Sequence, residues 1–237
     1  MIDFKLNNPR GQEYELNNPR GQEYEIKSSD IWFGQLAKKY TLPPSLIKKL
    51  NDEIDSRQDH PDWDEYLAGH LEAQKMLYFK DDKGQIKQSV SDSFVEVFKN
   101  LGRDYLNLLP HVKSFQTDLV TIWYNDQKQY DYNPIHGHNG RSPVGITGVL
   151  YLKIPEGINE GRKVKQFFNN TSANGRTHLF ANSASQLSRR SFLPPLTEGS
   201  FYIFPYDMQH LVYPFTADVT RRSLSFNMDV LSTEYTE

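Results

Sequence analysis

The chain has 237 residues, with 27 lysine and arginine residues against 30 aspartate and glutamate residues, no cysteine and seven histidines. This length suits a single domain with its own core. Without cysteine, disulfides, thiolate zinc sites and iron–sulfur clusters are excluded, so a metal must bind to histidine, carboxylate or neutral oxygen.

The net charge of −3 argues against a nucleic-acid-binding protein. No apolar run reaches the ~18 residues of a membrane span, and the N-terminus does not read as a secretory leader. We therefore expect a cytoplasmic protein with no nucleic acid or membrane partner.

The first segment contains a tandem duplication. The ten-residue unit LNNPRGQEYE occupies Leu6–Glu15 and is repeated unchanged at Leu16–Glu25. Two polar units are too few for a solenoid, which needs at least three stacked repeats. We therefore assign residues 1–27 to a surface arm, and the sequence leaves open whether the duplication is native.

Residues 28–112 are predicted to form a helical support region. After Pro43 and Pro44, apolar residues follow helical spacing; they are Leu46, Ile47, Leu50 and Ile54. A second stripe runs from Phe94 to Leu108 and ends at Pro110, and Trp63–Phe79 is predicted to hold another helix. We expect these stripes to cover one face of a sheet.

The residue composition and spacing of residues 113–232 are typical of a β domain. Short segments rich in Val, Ile, Tyr, Phe and Thr alternate with Gly, Pro and Asn turns, which predicts an antiparallel sandwich or barrel. The predicted strands are Phe115–Tyr124, Tyr130–His138, Gly145–Ile154, Lys163–Phe168, Arg176–Phe180, Ser200–Phe204, His210–Tyr213 and Arg221–Val230. The segment Ala181–Glu198 is predicted to be a loop across a rim.

One candidate site is the pair His136 and His138, with Gly137 between them. On a strand, residues two apart point to the same face, so the two imidazoles would converge on one point. An isolated H-x-H pair also occurs by chance on protein surfaces.

A second candidate site combines His210 with the strand that starts at Arg221. Alternation places four polar residues of that strand on one face, namely Arg221, Ser223, Ser225 and Asn227. Burying such a face is costly unless a polar ligand lies opposite, and an anion would pair with the guanidinium. The alternative is that this face is solvated and that Leu224 and Phe226 face the core.

Together these segments resemble the Fe(II)/2-oxoglutarate-dependent oxygenases, in particular the prolyl-hydroxylase-like members of bacteria and phages. The resemblance covers about residues 115–230 and implies a mainly β fold, a double-stranded β-helix (jelly-roll) core with an α-helical N-terminal part. It also implies Fe(II) as cofactor, with 2-oxoglutarate and O₂ as cosubstrates. The residues that match the family pattern are His136, His138 and His210 for the metal, and Arg221, Ser223, Tyr151, Thr147 and Asn125 for 2-oxoglutarate.

The chain departs from the family pattern at His138, where the usual ligand is a carboxylate. A three-histidine site leaves the ion its full charge and makes zinc a competitor. Asp131 is the alternative third ligand, although its odd spacing from His136 would require a bulge in the strand.

The resemblance implies oxidative decarboxylation of 2-oxoglutarate to succinate and CO₂, coupled to hydroxylation of a peptide, at proline, or of a small molecule. The expected location is the cytoplasm of a bacterium or of a phage-infected cell.

Two other hypotheses remain at this stage. One is a cupin-type metal enzyme that does not use 2-oxoglutarate, and the other is a non-enzymatic β-sandwich of a viral structural or binding type. Arg141 and Ser142 stand where a cupin normally has glutamate.

Overall fold

The computed structural model describes residues 3–7, 13–15, 23–32, 35–57, 59–63, 69–71, 73–81, 83–109, 112–160, 172–182 and 189–235. These residues form fourteen strands and two α-helices. The strands are β1 (Asp3–Asn7), β2 (Glu13–Glu15), β3 (Glu23–Trp32), β4 (Leu36–Thr41), β5 (Gln74–Lys80), β6 (Ile86–Gln88), β7 (Val112–Gln127), β8 (Asn133–His136), β9 (Gly145–Lys153), β10 (Thr177–Phe180), β11 (Ser191–Phe192), β12 (Ser200–Pro205), β13 (Gln209–Val212) and β14 (Arg221–Tyr235). The helices are α1 (Pro44–Asp55) and α2 (Asp92–Asn107), and a 3-10 turn covers Glu156–Asn159.

Helix α1 begins where the sequence predicts, after Pro43, and α2 covers the predicted apolar stripe. Pro44 stands in the first turn of α1, where its fixed φ suits a helix and its missing N–H costs nothing. Helix α2 begins after Ser91, whose hydroxyl accepts a hydrogen bond from the backbone N–H of Phe94 at 3.2 Å. Neither of these two helices is long and apolar enough to cross a membrane.

The strands form two sheets. The larger has the order β2-β1-β3-β4-β12-β9-β14-β7-β5-β6, and the smaller has the order β11-β10-β13-β8. All pairings are antiparallel except that of β1 with β3. The chain is therefore mainly β, with helices as a minor part.

The central strands of the larger sheet are buried on both faces. One face packs on α1 and α2, with Phe98 of α2 contacting Phe201 and Phe226 at ring-centroid distances of 5.6 and 5.9 Å. The other face packs against the smaller sheet through a second apolar cluster that includes Tyr151 and Leu179. The candidate site residues lie in this second layer, between the two sheets.

Seven of the eight predicted strands of the β region are confirmed with shifted ends, and the eighth, Lys163–Phe168, lies outside the described residues. The helix predicted over Trp63–Phe79 is wrong, because Gln74–Lys80 forms β5 and pairs with β7. The region predicted to be helical also contains β3, β4 and β6. The pairing of β5 with β7 shifts register between Met76 and Tyr78, so buried and less buried residues do not alternate regularly along β5, and the period-two signal of a strand is lost.

Candidate metal centre

His136 and His210 are direct cross-strand neighbours. His136 ends β8 and His210 lies in β13, and the register of the two strands places their Cα atoms opposite each other. Their ring centroids are 4.2 Å apart. Residues directly opposite in an antiparallel pair point to the same face, so this register alone brings the two imidazoles together.

His138 joins them from just beyond the end of β8. The prediction that it shares a strand with His136 is wrong in this detail, because the strand stops at His136 and the backbone N–H of His138 donates to the carbonyl of Tyr206 at 2.9 Å. This contact still directs the side chain inward. The rings of His138 and His210 are stacked 4° from parallel, and their Nε2 atoms are 3.2 Å apart.

The geometry of the three histidines fits a metal ion. One ligand nitrogen from each of His136, His138 and His210 lies within 4.8 Å of the others. Two imidazole nitrogens bound at ~2.0–2.1 Å to one ion, at ordinary coordination angles, would be roughly 3.0–3.4 Å apart. The observed separation of the His138 and His210 nitrogens falls in that range.

Burial keeps these imidazoles neutral. It lowers the pKa of His136, lowers that of His138 to about 3 together with the repulsion from His136, and lowers that of His210 well below its usual value. The Nδ1 atom of His136 faces the carbonyl oxygen of Pro134 at 2.7 Å, so Nδ1 carries the proton and Nε2 keeps its lone pair. Neutral imidazole with a fixed tautomer is the form that binds a metal.

Aromatic rings from the larger sheet contact the triad. The indole of Trp123 on β7 stacks on His138 with a centroid distance of 6.0 Å, and Phe204 on β12 meets His210 edge-on at 5.0 Å. These contacts exclude water from one side of the centre and tie the smaller sheet to the larger one.

Arg221, at the start of β14, is a buried cation to which no described residue offers a carboxylate. Its side chain is 1% exposed, Nη1 donates to Oε1 of Gln127 at 2.8 Å, and the guanidinium lies over the ring of Tyr151 at 4.9 Å. Nε and Nη2 have no hydrogen-bond partner among the described residues. Burial lowers its pKa, yet an arginine keeps its charge. The two unpaired N–H groups of this buried guanidinium have the geometry to bind both oxygens of one carboxylate.

The other predicted cosubstrate residues lie on the same face. Ser223 is the cross-strand partner of Asn125 on one side and of Tyr151 on the other, and Asn125 Oδ1 lacks a hydrogen-bond partner among the described residues. The hydroxyl of Tyr151 accepts from the backbone N–H of Thr177 at 3.2 Å. The hydroxyl of Thr147 donates its proton to the carbonyl of Phe226 at 2.8 Å. This hydroxyl can therefore act toward a ligand only as a hydrogen-bond acceptor.

The face of β14 that holds Arg221, Ser223 and Ser225 is buried, and so is the opposite face with Leu224 and Phe226. The expectation that this face is solvated is therefore wrong, whereas the expectation that Leu224 and Phe226 face the core is confirmed. Both faces are covered because helices lie on one side and the smaller sheet on the other.

Asp131, the alternative third ligand, is not part of the histidine group. Its carboxylate is buried and accepts the backbone N–H of Lys128 at 2.9 Å, which closes a turn. The described residues therefore bring together His136, His138 and His210.

Gln127 is a residue beside the site that the sequence did not single out. It is fully buried, orients Arg221 through Oε1, and donates through Nε2 to the carbonyls of Asp131 and Tyr213. The register of β7 with β14 places Gln127 opposite Arg221. A single glutamine belongs to no recognisable sequence motif, so the sequence alone did not point to it.

The comparison with known families decides the class. The model of the 2OG-Fe(II) oxygenase family matches residues 121–227, a span that contains the three histidines, Tyr151, Arg221 and Ser223. Residues 121–227 are thus those of an Fe(II)/2-oxoglutarate-dependent oxygenase. Members of this family are enzymes that use Fe(II), 2-oxoglutarate and O₂, so neither the cupin hypothesis nor the non-enzymatic β-sandwich hypothesis holds.

Solved structures of oxygenases are similar to the chain, and one of them reaches a TM-score above 0.5. A prolyl hydroxylase of Trichoplax adhaerens, in complex with a peptide of the hypoxia-inducible factor oxygen degradation domain, is 10% identical, with a TM-score of 0.51 over 85% of this chain and 83% of that one. A Pseudomonas putida prolyl-4-hydroxylase is 18% identical, with a TM-score of 0.48 over 85% of this chain and 92% of that one. An oxidoreductase of the 2OG-Fe(II) oxygenase family from Burkholderia pseudomallei is 13% identical, with a TM-score of 0.48 over 81% and 84%. No curated protein sequence matches the chain significantly.

Proposed function

We propose that this oxygenase is a non-haem iron dioxygenase that binds Fe(II) through His136, His138 and His210 and hydroxylates a prolyl residue of a peptide, with a small molecule as the alternative substrate. The observation that carries the proposal is the convergence of three neutral imidazoles, two half-buried and that of His210 buried, in the layer that also holds Arg221 and its two free donors. We further propose that residues 113–232 form a double-stranded β-helix, with strands β7, β9, β12 and β14 of the larger sheet as one face and the smaller sheet as the other.

The spacing between the two halves of the site suits 2-oxoglutarate. His138 stacks on Trp123, whose cross-strand partner is Ser225, four residues from Arg221 on the same face of β14. Four residues of strand span ~13 Å. A five-carbon diacid and an extended arginine side chain together bridge such a span, with one carboxylate at the guanidinium and the 2-oxo acid end near the histidines.

Each residue of the anion subsite has a separate task. Arg221 donates from Nε and Nη2 to the distal carboxylate, while Gln127 and the ring of Tyr151 hold the guanidinium in place. Tyr151 already accepts from Thr177, so its own proton is free for the same carboxylate. Ser223 and Asn125 add short polar side chains beside it.

The metal with its bound cosubstrates supplies oxygen activation that is coupled to decarboxylation of 2-oxoglutarate, which yields succinate and CO₂. The protein's own residues position the bound groups and exclude water from the centre. The triad occupies one side of the centre, Trp123 and Phe204 shield His138 and His210, and the open side is left for the substrate.

The rim next to β8 supports a peptide as substrate. Three large apolar side chains are exposed there, Tyr130, Tyr132 and Ile135, and Ile135 directly precedes the proposed ligand His136. Exposed aromatic and aliphatic side chains beside a reaction centre suit the apolar ring of proline and its neighbours in a chain.

Incubation with Fe(II), ascorbate, 2-oxoglutarate and O₂ tests the function. We expect succinate release above a His210→Ala control, and addition of one oxygen atom to a proline-containing peptide from a peptide library, read by mass spectrometry. If neither the protein alone nor any mixture releases succinate, and if calorimetry detects no 2-oxoglutarate binding, the proposal fails. Oxygen addition only to small molecules would select the alternative substrate class.

A further inference from the structure

Asp229 on β14 is a buried carboxylate that binds the loop behind His138. Its side chain is 1% exposed. Oδ2 accepts the backbone N–H groups of Arg141 at 2.9 Å and of Ser142 at 3.0 Å. Two residues earlier on the same strand face, Asn227 donates to the carbonyl of Asn139 at 3.4 Å. The segment that follows His138 is therefore attached to β14 at several successive points.

The other oxygen of Asp229 connects this loop to the turn that precedes His210. Oδ1 accepts the hydroxyl of Tyr206 at 3.0 Å. The backbone of Tyr206 bonds at both ends of the same loop: its carbonyl accepts from His138 at 2.9 Å, and its N–H donates to Gly145 at 3.0 Å. One carboxylate thus joins the chain segments of two proposed metal ligands.

The packing around this carboxylate is too tight for another arrangement. A Cβ placed on Gly140 would lie 1.8 Å from Asp229 Oδ1, so the loop passes directly over the carboxylate only because residue 140 is glycine. A buried carboxylate is costly unless its oxygens are hydrogen-bonded, and here three donors, two of them from the loop, satisfy it.

We propose that Asp229 and Tyr206 are positioning residues that fix His138 relative to His210, so that both Nε2 atoms are held at the separation a metal ion requires. This inference rests on the proposed function of the triad. Neither residue touches the metal; each acts through the backbone of the segment that carries a ligand. Groups that orient metal ligands typically change metal affinity by about 10–100-fold when they are removed.

Titration with Co(II) as the probe metal tests the inference without turnover. The informative variants are Asp229→Asn, which keeps the shape but replaces one acceptor oxygen by a donor, and Tyr206→Phe, which removes only the hydroxyl. We expect each to weaken Co(II) binding about tenfold or more in calorimetry and to alter the visible absorption of the bound Co(II). Should Asp229→Asn fail to fold, Tyr206→Phe alone decides, because its ring still fills the same space.

Asp104→Asn is the matched control. Asp104 is also a buried carboxylate that accepts a tyrosine hydroxyl, that of Tyr40, at 2.5 Å, and it pairs with Lys38 at 3.2 Å on the helix side of the larger sheet. We expect this variant to unfold at a lower temperature and to keep Co(II) affinity within about twofold, because nothing it touches belongs to the loop.

The outcomes separate the two proposals. Wild-type affinity and an unchanged Co(II) spectrum in the folded Asp229 or Tyr206 variant would overturn the positioning role while leaving the metal centre intact. An equal loss of Co(II) affinity in Asp104→Asn would also overturn it, since general destabilisation would then explain the effect. If the wild-type protein binds Co(II) no better than His138→Ala, the proposed centre itself fails.

Discussion

Arg221 and Arg222 are adjacent in sequence and serve opposite faces of the same sheet. Arg221 points into the layer between the sheets with two free donors. Arg222 points to the helix side, where it binds Asp126 through Nε and Nη2 at 2.7 Å each and Asp55 through Nη1 at 2.7 Å. These ion pairs raise the pKa of Arg222 against the effect of burial. Arg222 is thus paired with two carboxylates, whereas Arg221 keeps two donors without a partner among the described residues.

This contrast gives the first prediction. Arg221→Ala should weaken 2-oxoglutarate binding about 10- to 100-fold, since hydrogen bonds to a charged partner contribute ~1.5–3 kcal/mol, and should leave Co(II) affinity unchanged. Calorimetry of 2-oxoglutarate with the anaerobic Co(II)-loaded protein measures it. The control Arg222→Ala loses ion pairs and thermal stability but should bind 2-oxoglutarate as the wild type does. Unchanged 2-oxoglutarate affinity in Arg221→Ala would move the anion subsite elsewhere.

The second prediction concerns the third ligand. His138→Ala should weaken Co(II) binding by more than about 100-fold, beyond the loss seen when only a group behind a ligand is removed. Asp131→Asn should keep Co(II) affinity, because its carboxylate is engaged with the backbone N–H of Lys128. Calorimetric titration of both variants compares the two candidates directly. The reverse pattern would assign the third position to Asp131.

The third prediction is a pH dependence of stability. Burial raises the pKa of Asp55, but hydrogen bonds from Lys153 and Arg222 outweigh it and leave the pKa below its usual value. Its contribution to the free energy of unfolding is therefore complete above the unfolded-state pKa of about 3.9 and is lost as the pH falls through the lower folded-state value. Wild type should exceed Asp55→Asn in stability at pH 5–8 and approach it in more acidic solution.

Urea unfolding of both proteins at a series of pH values measures this difference. Asp52→Asn is the control, since Asp52 forms an exposed pair with Lys48 within one helix, and such pairs contribute little at any pH. A gap between wild type and Asp55→Asn that stays constant down to pH ~2.5, well below the unfolded-state value, would contradict the assignment.

The fourth prediction tests the packing of β9. A Cβ on Gly148 would lie 2.7 Å from the carbonyl oxygen of Tyr202 and within 3 Å of the rings of Phe201 and Phe226. Backbone and core rings cannot move aside cheaply, so Gly148→Ala should lower the free energy of unfolding by about 1–3 kcal/mol. Gly157→Ala is the control, since its nearest neighbours would be at 3.5 Å, an ordinary contact. Equal stability of the two variants in urea would show that the strand adjusts.

The three candidate histidines could be picked out from the sequence because they lie close to strand ends with simple alternation, and the structure brings their side chains together. The pair at residues 136 and 138, a lone His210 and the polar face that starts at Arg221 are all local patterns. The cross-strand register that brings His136 opposite His210 is not visible in any local sequence pattern. That register depends on pairing between strands more than 70 residues apart, and only the family resemblance supplied it beforehand.

The misses have one physical origin, which is that environment overrides spacing. The helix predicted over Trp63–Phe79 is wrong because Gln74–Lys80 pairs with β7 as strand β5, a long-range contact that the sequence does not display. Asp229 and Gln127 escaped notice because a single buried polar residue has no sequence signature; only the donors around it reveal its role. The described parts of the predicted arm form β1, β2 and the first half of β3, at one end of the larger sheet, and leave the prediction of a surface arm open.

The position of β8 at the end of the smaller sheet bears on how this protein behaves at high concentration. Edge strands offer unpaired backbone groups that recruit strands of other molecules and lead to aggregation. β8 has only four residues, and one of them, Pro134, has no N–H to donate, which blunts the edge. The strand that presents His136 is thus poorly suited to pairing with a neighbouring molecule, which protects its open side from intermolecular association.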